Sequence, residues 1–132
     1  MEDVAPLGST RSGSIVIAEF TGFFAPVDNA PVVNTANAGS SIPVKFALGG
    51  NRGPNIFLPG YPKAVAVTCS AGAPIDTIEE VTTATTSGLQ YDSTTQWYTY
   101  TWKTAKSFAG RCYELQIRFV DGSTRIALFK FK

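Results

Sequence analysis

The stretch YELQIRFVDGSTRIALFKF, residues 113–131, has the pattern of two β-strands joined by a tight turn. Its first half alternates apolar with polar residues, a period of two that turns one set of side chains toward a core. The apolar set is Tyr113, Leu115, Ile117 and Phe119. Asp121-Gly122 is typical of a hairpin turn, and Thr124–Phe131 follows as the second strand. The sequence therefore predicts an antiparallel hairpin with one buried face.

Four more segments are predicted to be strands because they alternate in the same way or are rich in β-branched and aromatic residues. They are Ile15–Phe24, Ile42–Leu48, Ala64–Cys69 and Gln96–Lys103. Pro43 cannot donate a ladder hydrogen bond, so it predicts an edge strand or the start of a strand. A single helical turn is expected at Asp76–Glu79, where Asp76 can cap the turn. Short strands with frequent turns predict an all-β antiparallel sandwich of about seven to nine strands.

The composition excludes several classes of function. The chain has 132 residues, a net charge of +1 and no histidine. Histidine is the commonest general base and metal ligand, so Ser-His-Asp sites, Cys-His sites and most zinc sites are excluded. The protein is not expected to be an enzyme, and no catalytic residue, metal or cofactor is predicted. No basic run suits nucleic acid, and no apolar stretch is long enough to span a membrane.

Cys69 and Cys112 are the only two cysteines in the sequence. Without histidine they cannot complete a zinc site, which leaves a disulfide or two buried thiols. The disulfide is favoured because the low content of charged residues, 16%, is common in extracellular β domains. Strand alternation puts Cys112 on the polar face of its strand. The disulfide is therefore expected at a strand end and not across the core between two sheets.

Domain boundaries follow from the N-terminal composition. Residues 1–14 include the small polar run Gly8–Ser14, which is typical of a flexible lead-in or linker. Residues 15–132 are long enough for one domain with a core of its own. The apolar segment Ile15–Phe24 can also be viewed as a strand that adds to the sheet of another copy, which predicts self-association through it.

An ordered series of short motifs resembles the PxKF domain family. The Pro-x-Lys-Phe motif is Pro43-Val44-Lys45-Phe46, and the likeness extends over about Phe20 to Lys132. Other matching segments are Phe23–Asn29, Ser41–Gly50, Ser87–Asp92 and Ala109–Cys112. The resemblance implies an immunoglobulin-like sandwich that serves as one module of a secreted or surface bacterial protein. It implies no catalytic activity and supplies no functional residues.

Lys45 is predicted to lie on the face of its strand opposite the core. A partly buried lysine needs an acidic or carbonyl partner, and Glu114 is the candidate for a lysine–carboxylate pair. The alternative is an intramolecular isopeptide bond from Lys45 to an asparagine, with Glu114 as the proton shuttle. The asparagines considered for that bond are Asn29, Asn34 and Asn37.

A second group of residues is a candidate site for a polysaccharide. Sugar rings pack on flat aromatic side chains, and nearby amide and charged side chains bind the hydroxyl groups. Tyr98, Tyr100 and Trp102 are expected to fill the core, which makes Trp97 the aromatic expected to be exposed. The candidate ligand-binding residues are Trp97, Tyr91, Asn51, Arg52 and Asn55.

Three functions are consistent with the sequence. The first is a non-catalytic structural or adhesion module of a secreted or bacterial cell-surface protein, whose partners are other modules of the same protein or assembly. The second is a carbohydrate-binding module that uses exposed aromatic residues. The third is a self-assembling or virion-decorating subunit on a virion surface, held by its N-terminal segment.

Overall fold

A computed structural model describes residues 20–132, and this part of the chain forms eight strands and one short 3-10 helix. The strands are β1 (Val33–Ala36), β2 (Ser41–Ala47), β3 (Lys63–Val67), β4 (Ile75–Thr77), β5 (Gly88–Asp92), β6 (Trp97–Lys103), β7 (Cys112–Arg118) and β8 (Thr124–Phe131). The 3-10 helix, Lys106–Phe108, connects β6 to β7. The predicted lead-in, residues 1–14, lies outside the described residues.

The strands form two sheets that face each other. The five-stranded sheet has the order β3-β7-β8-β1-β4, and the three-stranded sheet has the order β2-β6-β5. The prediction of an all-β sandwich of about seven to nine strands is confirmed. Four of the pairings are antiparallel, but β1 lies parallel to both β8 and β4. Side-chain alternation carries no information on strand direction, so the sequence pattern did not reveal these parallel pairs.

The inner faces of the two sheets enclose an aromatic core. β2 buries Ile42, Val44 and Phe46 completely, as its alternation predicted, and Leu48 follows them. The ring of Phe46 lies within 5.7–6.5 Å of five other aromatic rings, measured between centroids; they belong to Phe20, Phe23, Phe57, Tyr98 and Phe119. The hairpin of β7 and β8 supplies the opposite wall with Leu115, Ile117, Phe119, Ala127, Phe129 and Phe131.

The outer edge of β2 is partly covered, which suits the proline within it. Pro43 lies on β2, an edge strand of the three-stranded sheet, as predicted. Phe24 forms an antiparallel bridge to Lys45 on this edge, and Thr82 forms another to Ser41. β5 is the other edge of this sheet, and among residues 20–132 no isolated bridge pairs with it.

Only part of the predicted strand Ile15–Phe24 falls within the described residues. Residues 15–19 lie outside the described residues. From Phe20 onward the chain forms no strand before β1 except the single bridge at Phe24. Phe20 and Phe23 are buried in the core of their own domain. This described half of the segment therefore packs within its own chain.

The helical turn predicted at Asp76–Glu79 is wrong. Ile75–Thr77 forms β4, which pairs with Val33–Thr35. The amide of Ile78 continues the contact by donating to the carbonyl of Thr35 over 2.8 Å. A backbone partner on β1 therefore outweighs the weak capping signal of Asp76, and the β-branched residues of this segment suit a strand.

Cys69 and Cys112 form the predicted disulfide, with 5.2 Å between their Cα atoms. Cys112 is the first residue of β7 and pairs with Val67 at the end of β3. The disulfide therefore joins the start of β7 to the chain just beyond the end of β3, its neighbour in the same sheet, and does not cross the core, as predicted.

Candidate ligand-binding groove

A shallow groove lies where the edge strand β5 meets the loop that follows β2. Its volume is about 250 Å³. The lining residues are Asn51, Gly53, Pro54, Leu89, Gln90, Tyr91 and Tyr98. Leu89 and Tyr91 are half-buried because they point toward the core from the edge of the sheet, where the cover is incomplete. None of the lining residues carries a charge.

The hydroxyl of Tyr98 fixes the loop that forms one wall of the groove. It accepts a hydrogen bond from the backbone N–H of Arg52 over 2.7 Å and donates one to the carbonyl of Gly53 over 2.8 Å. The Oδ1 of Asn51 accepts from the N–H of Gly53 over 2.8 Å. Gly53 has a φ of 86°, which L-residues rarely adopt, so a glycine is required at this position.

Burial raises the pKa of the Tyr98 hydroxyl above its ordinary value of 10.0. The hydroxyl therefore stays protonated at neutral pH and keeps its role as a donor to Gly53. The ring of Tyr98 lies beneath Tyr91, with 4.9 Å between ring centroids. A rigid core residue thus supports both the loop and the aromatic wall of the groove.

The structure brings together two of the five predicted ligand-binding residues, Asn51 and Tyr91. Arg52 contributes its backbone N–H, while its side-chain Nε donates to the carbonyl of Leu48 over 2.9 Å. Asn55 is exposed but does not line the groove. Five lining residues were absent from the prediction: Gly53, Pro54, Leu89, Gln90 and Tyr98. The alternation of Leu89 and Tyr91 along β5 is the sequence signal that identifies these two residues as neighbours on one strand face.

The expectation that Trp97 is a freely exposed aromatic needs correction. Trp97 is half-buried and packs on Phe24, with 4.3 Å between ring centroids and 30° between ring planes. Its partner comes from the segment before β1, which bridges to the edge of β2. Local alternation placed Trp97 on the outer face correctly but carried no information on this long-range cover.

The predicted pair of Lys45 and Glu114 does not form. The Nζ of Lys45 lies 3.1 Å from Oε1 and 3.2 Å from Oε2 of Glu80. Glu114 accepts a hydrogen bond from the side chain of Gln116. Lys45 lies on the outer face of one sheet and Glu114 on the outer face of the other, so the sandwich separates them.

The isopeptide hypothesis for Lys45 is not supported by the asparagines. Asn29 closes a local loop: its Oδ1 accepts from the N–H of Phe23 over 2.7 Å, and its Nδ2 donates to the carbonyl of Phe23. Asn34 is buried and bonds to Asp28 and Leu128. Lys45 is engaged with Glu80 instead.

Asp28 forms a carboxyl pair with Asp76 beside Asn34. The hydrogen bond with the Asp76 carboxyl, then partial burial and the negative charges of Asp76 and Glu79, raise the pKa of Asp28 above 3.8. A raised pKa in the folded state means that ionising Asp28 costs stability. That cost is absent below the ordinary pKa of an aspartate and is complete above the raised pKa of Asp28.

Replacing Asp28 with asparagine is therefore expected to stabilise the domain at pH 7. The new amide removes one negative charge and can donate to the Asp76 carboxylate, a gain of about 0.5 kcal/mol at this partly exposed position. Thermal unfolding of both proteins between pH 3 and pH 7 measures the effect. The gain should shrink as the pH falls toward the ordinary pKa of aspartate. A variant less stable than the parent at pH 7 would contradict the assignment.

Among residues 20–132, no helix is long and apolar enough to cross a membrane. The same residues contain no group of three or more acidic or cysteine side chains placed to hold a metal ion. Comparison with known proteins finds no matching family model, no matching curated protein and no matching solved structure. The features of the molecule that bear on its function are therefore the sandwich, its disulfide and the groove.

Proposed function

We propose that this domain is a non-catalytic structural module of a secreted or cell-surface protein, a spacer that keeps its shape under load between neighbouring modules. The observation that carries the proposal is the parallel pairing of β1 with β8. β1 is the first described strand and β8 the last, so they join the two ends of the domain.

The direction of these two strands determines how tension acts on them. The chain enters β1 at Val33, opposite Leu128, and leaves β8 at Phe131, opposite Ala36. Pulling the chain ends apart therefore slides the two strands along each other. In this shear geometry the hydrogen bonds of the pairing carry the load together, whereas in an unzipping geometry they break one after another.

Two further features support a module that works outside the cytosol. The Cys69–Cys112 disulfide is a bond that persists in oxidising compartments. The Pro43–Phe46 motif resembles the PxKF family, whose members are modules of secreted or surface bacterial proteins, and this supports an adhesive or spacing role. In such a protein the partners are the preceding and following modules.

Single-molecule force spectroscopy tests the proposal directly. In one arrangement the handles are attached to the two ends of the full chain, which loads β1 and β8 in shear. In the matched control the handles are attached at residues 37 and 132. Ala38 and Lys132 are neighbours, joined by a 3.1 Å backbone hydrogen bond, so this arrangement unzips the same pairing from one end.

We expect the first arrangement to require the higher unfolding force. The pairing, the core and the disulfide are identical in the two arrangements, and only the direction of the load differs. Equal forces in both arrangements, or a lower force with the handles at the chain ends, would refute a load-bearing role for the β1–β8 pairing.

The alternative of a self-assembling or virion-decorating subunit is less well supported. It requires Ile15–Phe24 to pair with a neighbouring copy. Phe20 and Phe23 are instead buried in their own core, and Phe24 covers Trp97. Donating this segment would uncover those rings and cost stability in the donor chain.

A further inference from the structure

We propose that the groove beside β5 binds a neutral saccharide, through the ring of Tyr91 and the side-chain amide of Asn51. This binding function is separate from the load-bearing role of the β1–β8 pairing. The two functions use different sheets, because the groove belongs to the three-stranded sheet and the pairing to the five-stranded sheet.

The chemistry of the lining indicates an uncharged ligand. All seven lining residues are neutral, so the groove offers no ion pair to an acidic or basic ligand. Arg52, the nearest charged residue in the loop sequence, directs its Nε to the carbonyl of Leu48. An anionic polysaccharide or a phosphate group would lose its hydration shell here without gaining a charged partner.

The groove combines an apolar wall with hydrogen-bonding groups, as a sugar ring requires. Leu89 and Tyr91 form the apolar wall, against which the C–H face of a pyranose ring can pack. Asn51 is exposed, and within residues 20–132 its Nδ2 makes no hydrogen bond to protein, so it can donate to sugar hydroxyls. Gln90 lines the groove through its backbone, because it pairs with Thr99 and its side chain lies on the outer face of the sheet.

The groove is also preorganised. Tyr98 holds the loop through backbone groups of Arg52 and Gly53, and its ring supports Tyr91 from below. Side chains that are already ordered lose little conformational entropy when a ligand binds. A volume of about 250 Å³ is slightly below the range of pockets for drug-sized ligands, which suits a short stretch of a glycan chain.

Titration of the full chain, observed by two-dimensional amide NMR, tests the proposal. The probes are maltohexaose, cellohexaose and hexa-N-acetylchitohexaose, which are neutral and differ in linkage and substituent. We expect at least one of them to shift the amide signals of residues 51–54 and 89–91 in a saturable way. The signals of β3 and β4 in the other sheet should not move.

Variants then assign the binding to the named side chains. Tyr91→Ala is expected to weaken binding at least tenfold, whereas Tyr91→Phe keeps the ring and should retain most of the affinity. Asn51→Asp removes the Nδ2 donor, keeps the Oδ1 that accepts from Gly53, and should weaken binding several-fold. Gln116→Ala is the matched control, because Gln116 lies on the outer face of the five-stranded sheet, and it should bind as the parent does. The melting temperature of each variant checks that it is folded.

Three results would overturn the proposal. The first is that none of the three oligosaccharides shifts the groove signals at millimolar concentration. The second is binding that Tyr91→Ala and Asn51→Asp leave unchanged while both variants remain folded. The third is that a proline-rich peptide shifts the groove signals and the sugars do not, which would assign the aromatic wall to peptide recognition.

Discussion

Replacing Cys69 and Cys112 together with alanine is expected to lower the free energy of unfolding by about 4 kcal/mol. The two residues are 43 positions apart, so the disulfide closes a long loop and removes many conformations from the unfolded chain. Urea unfolding followed by tryptophan fluorescence measures the loss. The free energy of unfolding of a single domain is typically about 5–15 kcal/mol, so the loss is a large part of the stability.

The reduced parent protein is the control for this prediction. Cys112 is buried and Cys69 is exposed, so the alanine variant also loses some packing at Cys112. Reduction breaks the crosslink but keeps both side chains, and it should account for most of the loss. A double variant within about 1 kcal/mol of the parent would show that the unfolded chain gains little freedom when the crosslink is removed.

Replacing Asn34 with alanine is expected to cost about 3 kcal/mol, because its side chain satisfies three buried or half-buried backbone groups. Its Oδ1 accepts from the N–H of Asp28 over 2.8 Å, and its Nδ2 donates to the carbonyls of Asp28 and Leu128 over 3.1 and 3.0 Å. Asn34 is fully buried, so water replaces these bonds poorly. Chemical unfolding measures the difference.

Asn37 provides a matched control for Asn34. It lies three residues further along the chain, is exposed, and its side chain makes no hydrogen bond within residues 20–132. Asn37→Ala should change the stability by no more than about 0.5 kcal/mol. A similar loss for both variants would mean that the buried bonds of Asn34 contribute nothing beyond the substitution itself.

The parts of the fold that the sequence predicted are those with strong local patterns. β2, β6, β7 and β8 each alternate over seven or eight residues, and their buried faces agree with the prediction. The strand-end position of the disulfide followed from the same alternation at Cys112. In these segments the period of the side chains alone determines which face is buried.

Three strands were missed: β1, β4 and β5. β1 has only four residues, all of them buried, so it shows no alternation. β4 has three residues, all exposed, and exists because its backbone pairs with β1. Segments as short as β1 and β4 contain too few residues for a period to emerge, and partners distant in the sequence decide their conformation. β5 has five residues and does alternate, with Leu89 and Tyr91 half-buried between exposed neighbours.

The groove was only half predictable for the same reason. Asn51 and Tyr91 were selected as residue types suited to sugar binding, but their proximity depends on the loop after β2 reaching the edge of β5. Trp97 had an equally suitable side chain and is covered by Phe24. The sequence identifies which side chains have the right chemistry, and tertiary packing determines which of them remain accessible.

Tyr98 holds its loop through two hydrogen bonds that do not involve the side chains of the loop. Its hydroxyl bonds to a backbone N–H and a backbone carbonyl, which every residue but proline supplies. Substitutions at the exposed positions Asn51, Pro54 and Asn55 can therefore change what the loop presents while these two anchoring bonds remain. Such a loop is a ready position for directed evolution, since a library can vary its recognition chemistry on a scaffold that continues to fold.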